Sequence, residues 1–424
     1  MGAKPPAESS KGPLVNDRPR LRMLEAFPVE QDGERLVALR DPAGFTDQIV
    51  VFALPLLDLV SLFDGEHSVA EIQAVLQERY GQAPTTEQIG ELVERLDEAG
   101  FLDSQRFEER RRAIEEAFRA SPVRPAAHAG GAYAGEAPAL AAQIEAFFTH
   151  PEGPGAPGAL AAAVGSPPLR GLIAPHIDFH RGGSVYGWAY RALLERSDAD
   201  LFVILGTCHA GMGDPFAVTL KPYDTPLGAV PVDRDFYEAL RGRYGADLLS
   251  SEAAHRSEHS IEFQAVMLRH VLGARRPFTI LPVLASYLHE AVWTRGDPER
   301  DPRVPRFIDA LLETMAASSR KVCLIAGVDL AHVGPRFGDP EPNTPESLEV
   351  VAAADLSMLD AVTAGDPTAF FASVAHDGDG RRICGLSPIY TFLRALPGAG
   401  GRLLRYRQWP DPQGAVSFCA ATFP

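Results

Sequence analysis

Cysteine is scarce in this chain, with four in 424 residues, at positions 208, 323, 384 and 419. So few and so scattered, they cannot staple a chain of this length, and reduced thiols are expected. Long apolar runs are missing too. The longest, Ile49 to Leu57, contains Pro55 and falls far short of the roughly 20 residues that cross a bilayer, so no membrane span is expected. The first residues, Met1-Gly2-Ala3-Lys4-Pro5-Pro6, hold no apolar signal core, and Pro6 stands where a myristoylation motif needs Ser or Thr. A cytoplasmic protein is expected. Positive charge is also short: the formal net charge is −16, and residues 21–103 carry five arginines and no lysine against seventeen Asp and Glu, a local −12. Binding phosphates needs a basic face, so a nucleic-acid partner is not expected.

What is present is ordinary globular material, 46% hydrophobic and 23% charged, long enough for two domains with their own cores. Residues 1–20 are polar, Pro-rich and aperiodic, and read as a disordered arm. Two short apolar stretches follow, Arg35 to Leu39 and Gln48 to Ala53, separated by Asp41-Pro42-Ala43-Gly44, as in a hairpin. Three helical stripes come next: Leu56, Leu59, Val60 and Phe63; Val69, Ile72, Val75 and Leu76; Ile89, Leu92, Val93 and Leu96. Asp64-Gly65, Gly81 and Gly100 punctuate them. The text LVSLFDGEHSVAEIQAVLQERYG at 59–81, with ELVERLDEAGFLD at 91–103, resembles the PqqD-like peptide-recognition family. That resemblance implies a winged-helix-like module over 21–104 that takes a peptide by strand addition. A generic winged helix is the alternative, and its acidic charge disfavours a DNA-binding version. Phe107 to Phe118, where Arg110, Arg111 and Arg112 face Glu108, Glu109, Glu115 and Glu116, reads as a solvated helical connector within a linker over 105–121.

Beyond Leu169, strand-like runs LRGLIA, LFVILG, FTILPVLA and VCLIAGV alternate with helical stretches near 184–195, 233–243, 258–272 and 304–318. Such alternation predicts βαβ units, a mostly parallel central sheet and flanking helices, an α/β fold class preceded by the small α+β module. Three of the strands run straight into candidate ligands: Pro175-His176, Thr207-Cys208-His209, and Val328-Asp329-Leu330-Ala331-His332. Ligands bind at the carboxyl ends of strands in open α/β sheets. A single such histidine is more often structural. Three after three buried strands point to a metal, for which neutral imidazole is a common ligand.

The segments HAGGAY at 128–133, IAPH at 173–176, LGTCH at 205–209, EHSIE at 258–262, DLAH at 329–332 and ICGLSP at 383–388 together resemble the Memo family, whose bacterial members are known as AmmeMemoRadiSam system protein B. The resemblance covers 122–424 and implies a fold related to that of class III extradiol dioxygenases. It implies His176, His209 and Cys384 as metal positions, His332 with Asp329 as the neighbouring catalytic pair, and AMMECR-type and radical-SAM proteins as partners. Two imidazoles and a thiolate make an open site for one transition metal ion, with iron or copper preferred and zinc possible. Because a thiolate is softer than the carboxylate of the dioxygenase pattern, a metal-dependent redox or oxygen-using function is expected rather than a copied dioxygenase. Asp329 is expected to orient His332 for proton transfer. His259, Glu262, His128, Asp178 and His180 are expected around the site in outer-shell or substrate-binding roles. Cys208, Cys323 and Cys419 read as packed residues.

Two other readings compete. His255, Glu258 and His259 fit an H-x-x-E-H zinc metalloprotease pattern, which needs both histidines on one helix face. Alternatively, the same pocket serves recognition without turnover, as in an adaptor.

Overall fold

The computed structural model describes residues 17–31, 33–158 and 168–424, which divide into two compact units at Ala117/Phe118. Residues 1–16 of the expected arm lie outside the described residues, whereas 17–20 are tied into the first unit: Asp17 O accepts the Val69 N–H and Arg20 bridges to Asp64.

In the first unit, strands β1 (Glu25–Gln31), β2 (Glu34–Arg40) and β3 (Val50–Ala53) form an antiparallel sheet in that order. Helices α1 (Leu56–Val60), α2 (Val69–Tyr80), α3 (Thr86–Glu98) and the start of α4 (Gln105–Ala120) follow. The sequence fits each helix start: Ser68 with Glu71 and Thr85 with Gln88 make capping boxes, satisfying amide groups that a helix end leaves free. Gly81 at φ 74° ends α2 in the left-handed region. Val37, Leu39, Phe52, Ile72, Ile89, Leu96 and Phe101 close the core. The expected hairpin is therefore the β2–β3 pair, with β1 an additional strand. The connector is not wholly solvated either, since Phe107 packs on Phe45 and lies under the Arg22 guanidinium, 3.6 Å from its ring centre.

The second unit contains α5 (Ala137–Thr149), β4 (Gly171–Ala174), α6 (Phe179–Arg196), β5 (Leu201–Thr207), β6 (Phe216–Val218), α7 (Arg234–Tyr244), α8 (His259–Leu272), β7 (Thr279–Ala285), α9 (His289–Thr294), α10 (Arg303–Ala317), β8 (Val322–Gly327), β9 (His332–Val333), α11 (Pro345–Ala364), α12 (Pro367–Ala375), α13 (Leu386–Ala395), β10 (Arg402–Trp409) and β11 (Ala415–Phe423). The sheet order is β10-β11-β4-β8-β5-β7-β6, with β9 also on β11. Its centre, β4-β8-β5-β7, is parallel as expected. The whole is a mixed sheet, because β6, β9, β10 and β11 all pair antiparallel. Only β10 and β11 are joined by a short return connection; β6, β9 and β4 meet their antiparallel partners across long stretches of chain.

Helices α5, α6 and α8 cover one face of the sheet, and α7, α10, α11, α12 and α13 the other. The central strands are buried along their full length apart from one end residue each in β7 and β8. This is why their sequences are continuously apolar rather than alternating. Among the described residues, no helix is long and apolar enough to cross a membrane.

Candidate metal centre

The carboxyl ends of β4, β5 and β8 meet at one edge of the sheet, and the N-terminus of α8 is lowered onto them. Glycine makes this possible at two strand ends. A Cβ on Gly206 would stand 2.5 Å from Ser260 Oγ, and one on Gly327 would stand 2.6 Å from the Ser260 carbonyl oxygen. The absence of both side chains lets the first turn of α8 touch the sheet, which fixes His259, its first residue, over the strand ends.

His176 follows β4 by two residues and is buried. Its Nδ1 lies 2.9 Å from Gly327 O, a carbonyl that can only accept, so Nδ1 carries the proton and Nε2 is left with its lone pair. Gln264 on α8 steadies the approach by donating to Pro175 O at 2.8 Å, and its own Oε1 accepts from Tyr190. His209 follows β5 by two residues. Its Nδ1 is 3.0 and 3.1 Å from the two oxygens of Glu258, and its backbone N–H donates to the same carboxylate at 2.9 Å. The Nε2 atoms of the two histidines therefore point to one place, where Cys384 Sγ lies 3.1 Å from that of His209 and 3.2 Å from that of His176. Thr207 Oγ1 holds the Cys384 carbonyl at 3.0 Å.

His259 joins this group. Its ring stacks on His209 at 4.6 Å between centres and meets His176 edge-on at 5.0 Å. One ligand atom from each of His176, His209 and His259 lies within 4.8 Å of the others. Glu258 sits between two of them, with Oε1 3.0 Å from His209 Nδ1 and 3.4 Å from His259 Nδ1. One carboxylate thus orients two imidazoles, the arrangement by which outer carboxylates fix metal-binding histidines.

The electrostatics follow from this packing. Desolvation alone would lower the His209 pKa, but Glu258 and Cys384 hold it well above the usual value. Burial would raise Glu258, yet His209 holds it well below the carboxylate range. Burial, then the nearby His209, takes His259 down to about 3, and burial with the same neighbours takes His176 well below its usual value. Two imidazoles are thereby kept neutral, as ligation requires.

Asp329 does not orient His332. Its Oδ1 accepts the His176 N–H at 3.0 Å and its Oδ2 lies 3.7 Å from His176 Nε2, while burial pushes its carboxyl up to about 7. His332 is fixed by its neighbour instead: Nδ1 donates to Leu330 O at 3.1 Å, its ring meets Phe337 edge-on, and burial lowers it to about 4.

Other expected residues separate. His128 borders the site, edge-on to His259 at 5.6 Å, with Nε2 donating to Ser257 O. Glu262 does not face it: its carboxylate is paired with buried Arg124 and takes donors from Tyr133, Ala127 and His128. Asp178 precedes α6 as its N-cap residue, and His180 is exposed beside Trp409. The protease geometry is absent. His255 ends a separate 3-10 turn, and both its nitrogens are used, Nδ1 by Tyr223 OH at 2.9 Å and Nε2 by Ala217 O at 3.0 Å. Burial pushes the Cys208 thiol up to about 12, and Cys323 and Cys419 are buried in β8 and β11. Sequence reasoning missed Glu258 as the shared orienting group and left His259 outside the ligand set. The signal was the pair itself, an acid and a histidine placed across a helix start.

A family profile described as Memo-like protein matches residues 124–420. A MEMO1 family protein of Aquifex aeolicus is 28% identical over 415 residues, 96% of this chain and 100% of its own length. One of Thermus thermophilus is 27% identical over 340 residues, covering 80% and 93%. One of Methanothermobacter thermautotrophicus is 28% identical over 296 residues, covering 69% and 95%.

Proposed function

Because this chain belongs to the Memo family, we propose that its α/β unit holds one transition metal ion on His176, His209 and Cys384, with His259 as a further donor, and performs redox or oxygen-using chemistry. The observation that carries this reading is the convergence of two imidazole Nε2 atoms on one sulfur while both Nδ1 atoms are occupied by Gly327 O and Glu258. Imidazoles with a thiol suit iron, copper or zinc and are poor partners for magnesium or calcium. When bound, iron or copper would supply electron exchange, and any of the three ions an open coordination position for a small molecule.

The chain's own residues would do the rest. Glu258 sets the direction of two rings. His332, kept neutral by burial, with its Nδ1 proton committed to Leu330 O and near enough to His209 to be affected by its charge, would keep an Nε2 lone pair as a weak proton acceptor. The setting we propose is the AmmeMemoRadiSam system, with AMMECR-type and radical-SAM proteins as partners. Anaerobic purification with elemental analysis, and anomalous scattering at the iron, copper and zinc edges, should find about one equivalent of metal at these donors. Less than about a tenth of an equivalent would overturn the metal reading and favour a binding protein without turnover.

We also propose that the first unit takes an extended peptide along β3. This strand is an outer one, and Ile49, Leu54 and Leu56 stand exposed beside it; outer strands carry unpaired amides that a peptide can meet. Calorimetry of the whole chain against peptides from the partner proteins should show binding that Leu54→Asp removes. No heat at high peptide concentration would sink the idea.

A further inference from the structure

His176 and His209 each stand two residues past a strand, and His259 is the first residue of a helix. Cys384 lies on neither a strand nor a helix, although Thr207 Oγ1 at the end of β5 holds its carbonyl oxygen. It comes near the end of the ten-residue connection 376–385 between α12 and α13. That connection passes through the left-handed region at Gly378 (φ 67°), and again at Asp379 (58°) and Arg382 (53°), two residues with side chains that rarely adopt it. Within the loop, Asp379 Oδ1 accepts the Ile383 N–H at 2.7 Å and Arg382 donates to Gly380 O at 2.9 Å, and contacts from outside complete the hold on this path.

Two ion pairs do so. Arg381 pairs with Asp355 of α11, which is fully buried, and Arg382 pairs with the half-exposed Asp339. The Asp355 carboxylate also accepts from Ser417 Oγ at 2.5 Å and Tyr406 OH at 2.9 Å. Ser417 Oγ in turn accepts the Ala331 N–H at 2.9 Å. On its other side, the loop is joined to the segment that carries Asp329 and His332. Arg381 O accepts from His332 N–H at 2.8 Å, Leu330 O from Cys384 N–H at 3.1 Å, and Asp329 O from Gly385 N–H at 2.9 Å. One buried carboxylate thus ties together α11, β10, β11, the 329–332 segment and the cysteine loop.

We propose that Asp355 and Arg381 form a latch that positions the Cys384 sulfur between the Nε2 atoms of His176 and His209. Asp355 touches no metal donor itself; it is a positioning residue, and the inference rests on the metal reading above. Outer groups that orient ligands are worth tenfold to a hundredfold in metal affinity.

Cobalt(II) added to the whole chain stripped of metal reads the latch directly, because a thiolate ligand gives a sulfur-to-cobalt charge-transfer absorption and imidazoles do not. Wild type should show it, and Cys384→Ser should lack it. Asp355→Asn should lose most of that absorption and bind cobalt tenfold to a hundredfold more weakly. Asp233→Asn breaks a comparable pair with Arg320 at the opposite, amino ends of the strands. It should lower the melting temperature and leave cobalt affinity and absorption unchanged. If Asp355→Asn does not fold, Arg381→Gln, at a side chain 12% exposed, makes the same break. Wild-type absorption and affinity in a folded latch variant, or an equal loss in Asp233→Asn, would overturn the latch alone. Failure of wild type to bind cobalt would overturn the metal reading and the latch with it.

Discussion

Alanine at His176 or His209 should reduce metal affinity on the order of a hundredfold or more, at or beyond the upper end of what orienting groups contribute. Each removal takes away an Nε2 that faces Cys384 Sγ at 3.1–3.2 Å and leaves His259 and the other histidine to hold the ion with the sulfur. Glu258→Gln should cost tenfold to a hundredfold, since an amide holds the Nδ1 proton of His209 less firmly than a carboxylate that also takes the backbone N–H of the same residue. His255→Ala should behave in the opposite way. It leaves Tyr223 OH and Ala217 O without their buried partner, so the protein loses stability, on the order of 1–3 kcal/mol, while metal binding stays as it was. Isothermal titration with each apo variant, alongside thermal denaturation, separates the two outcomes. Loss of metal in His255→Ala with retention in His176→Ala would reinstate the protease pattern and remove the proposed site.

Arg124→Ala is the substitution expected to cost most stability. Its guanidinium donates to the carbonyl oxygens of His255 and Glu258 and pairs with Glu262, all without solvent contact. Removing it leaves the Glu262 carboxylate charged and buried against Tyr133 and two backbone amides. Breaking a buried pair from one side costs about 3–5 kcal/mol, which denaturant unfolding would measure directly. Arg124→Met with Glu262→Gln should recover part of that loss, because no unpaired charge remains and the amide still accepts from Tyr133. A single Arg124→Ala within about 0.5 kcal/mol of wild type would mean that the pair is not the buried brace described here.

The central strands could be read from the sequence because burial on both faces makes them continuously apolar runs of four to seven residues, too short for a buried helix. The parallel core β4-β8-β5-β7 was therefore legible, and so were the helices between its strands. The edges were not. β1 carries Pro28, β6 and β9 have three and two residues, and β10 places Arg402, Arg405 and Arg407 among its apolar residues. β1 and β10 fold back on the next strand, whereas β6 and β9 take partners far along the chain, and β10, β6 and β9 together made the large sheet mixed rather than mostly parallel. At the site, His176 and His209 showed themselves by following strands. Glu262 misled because it lies one turn from His259, yet its partner, Arg124, is 138 residues away and gives no local sign. Asp329 misled in the same manner: nearness in sequence to His332 suggested a pair, while the fold gives its carboxylate to His176.

Gly206 and Gly327, at the ends of β5 and β8, also determine which donors share a support. Because α8 rests on backbone there, its first turn carries Glu258 and His259 together, and Glu258 braces His209, which β5 carries. His176 is fastened instead to the Gly327 carbonyl, and Cys384 to its own loop. The site thus draws its donors from two strand ends, one helix start and one loop, and a single ion gripped by all of them would act as the rivet between these supports.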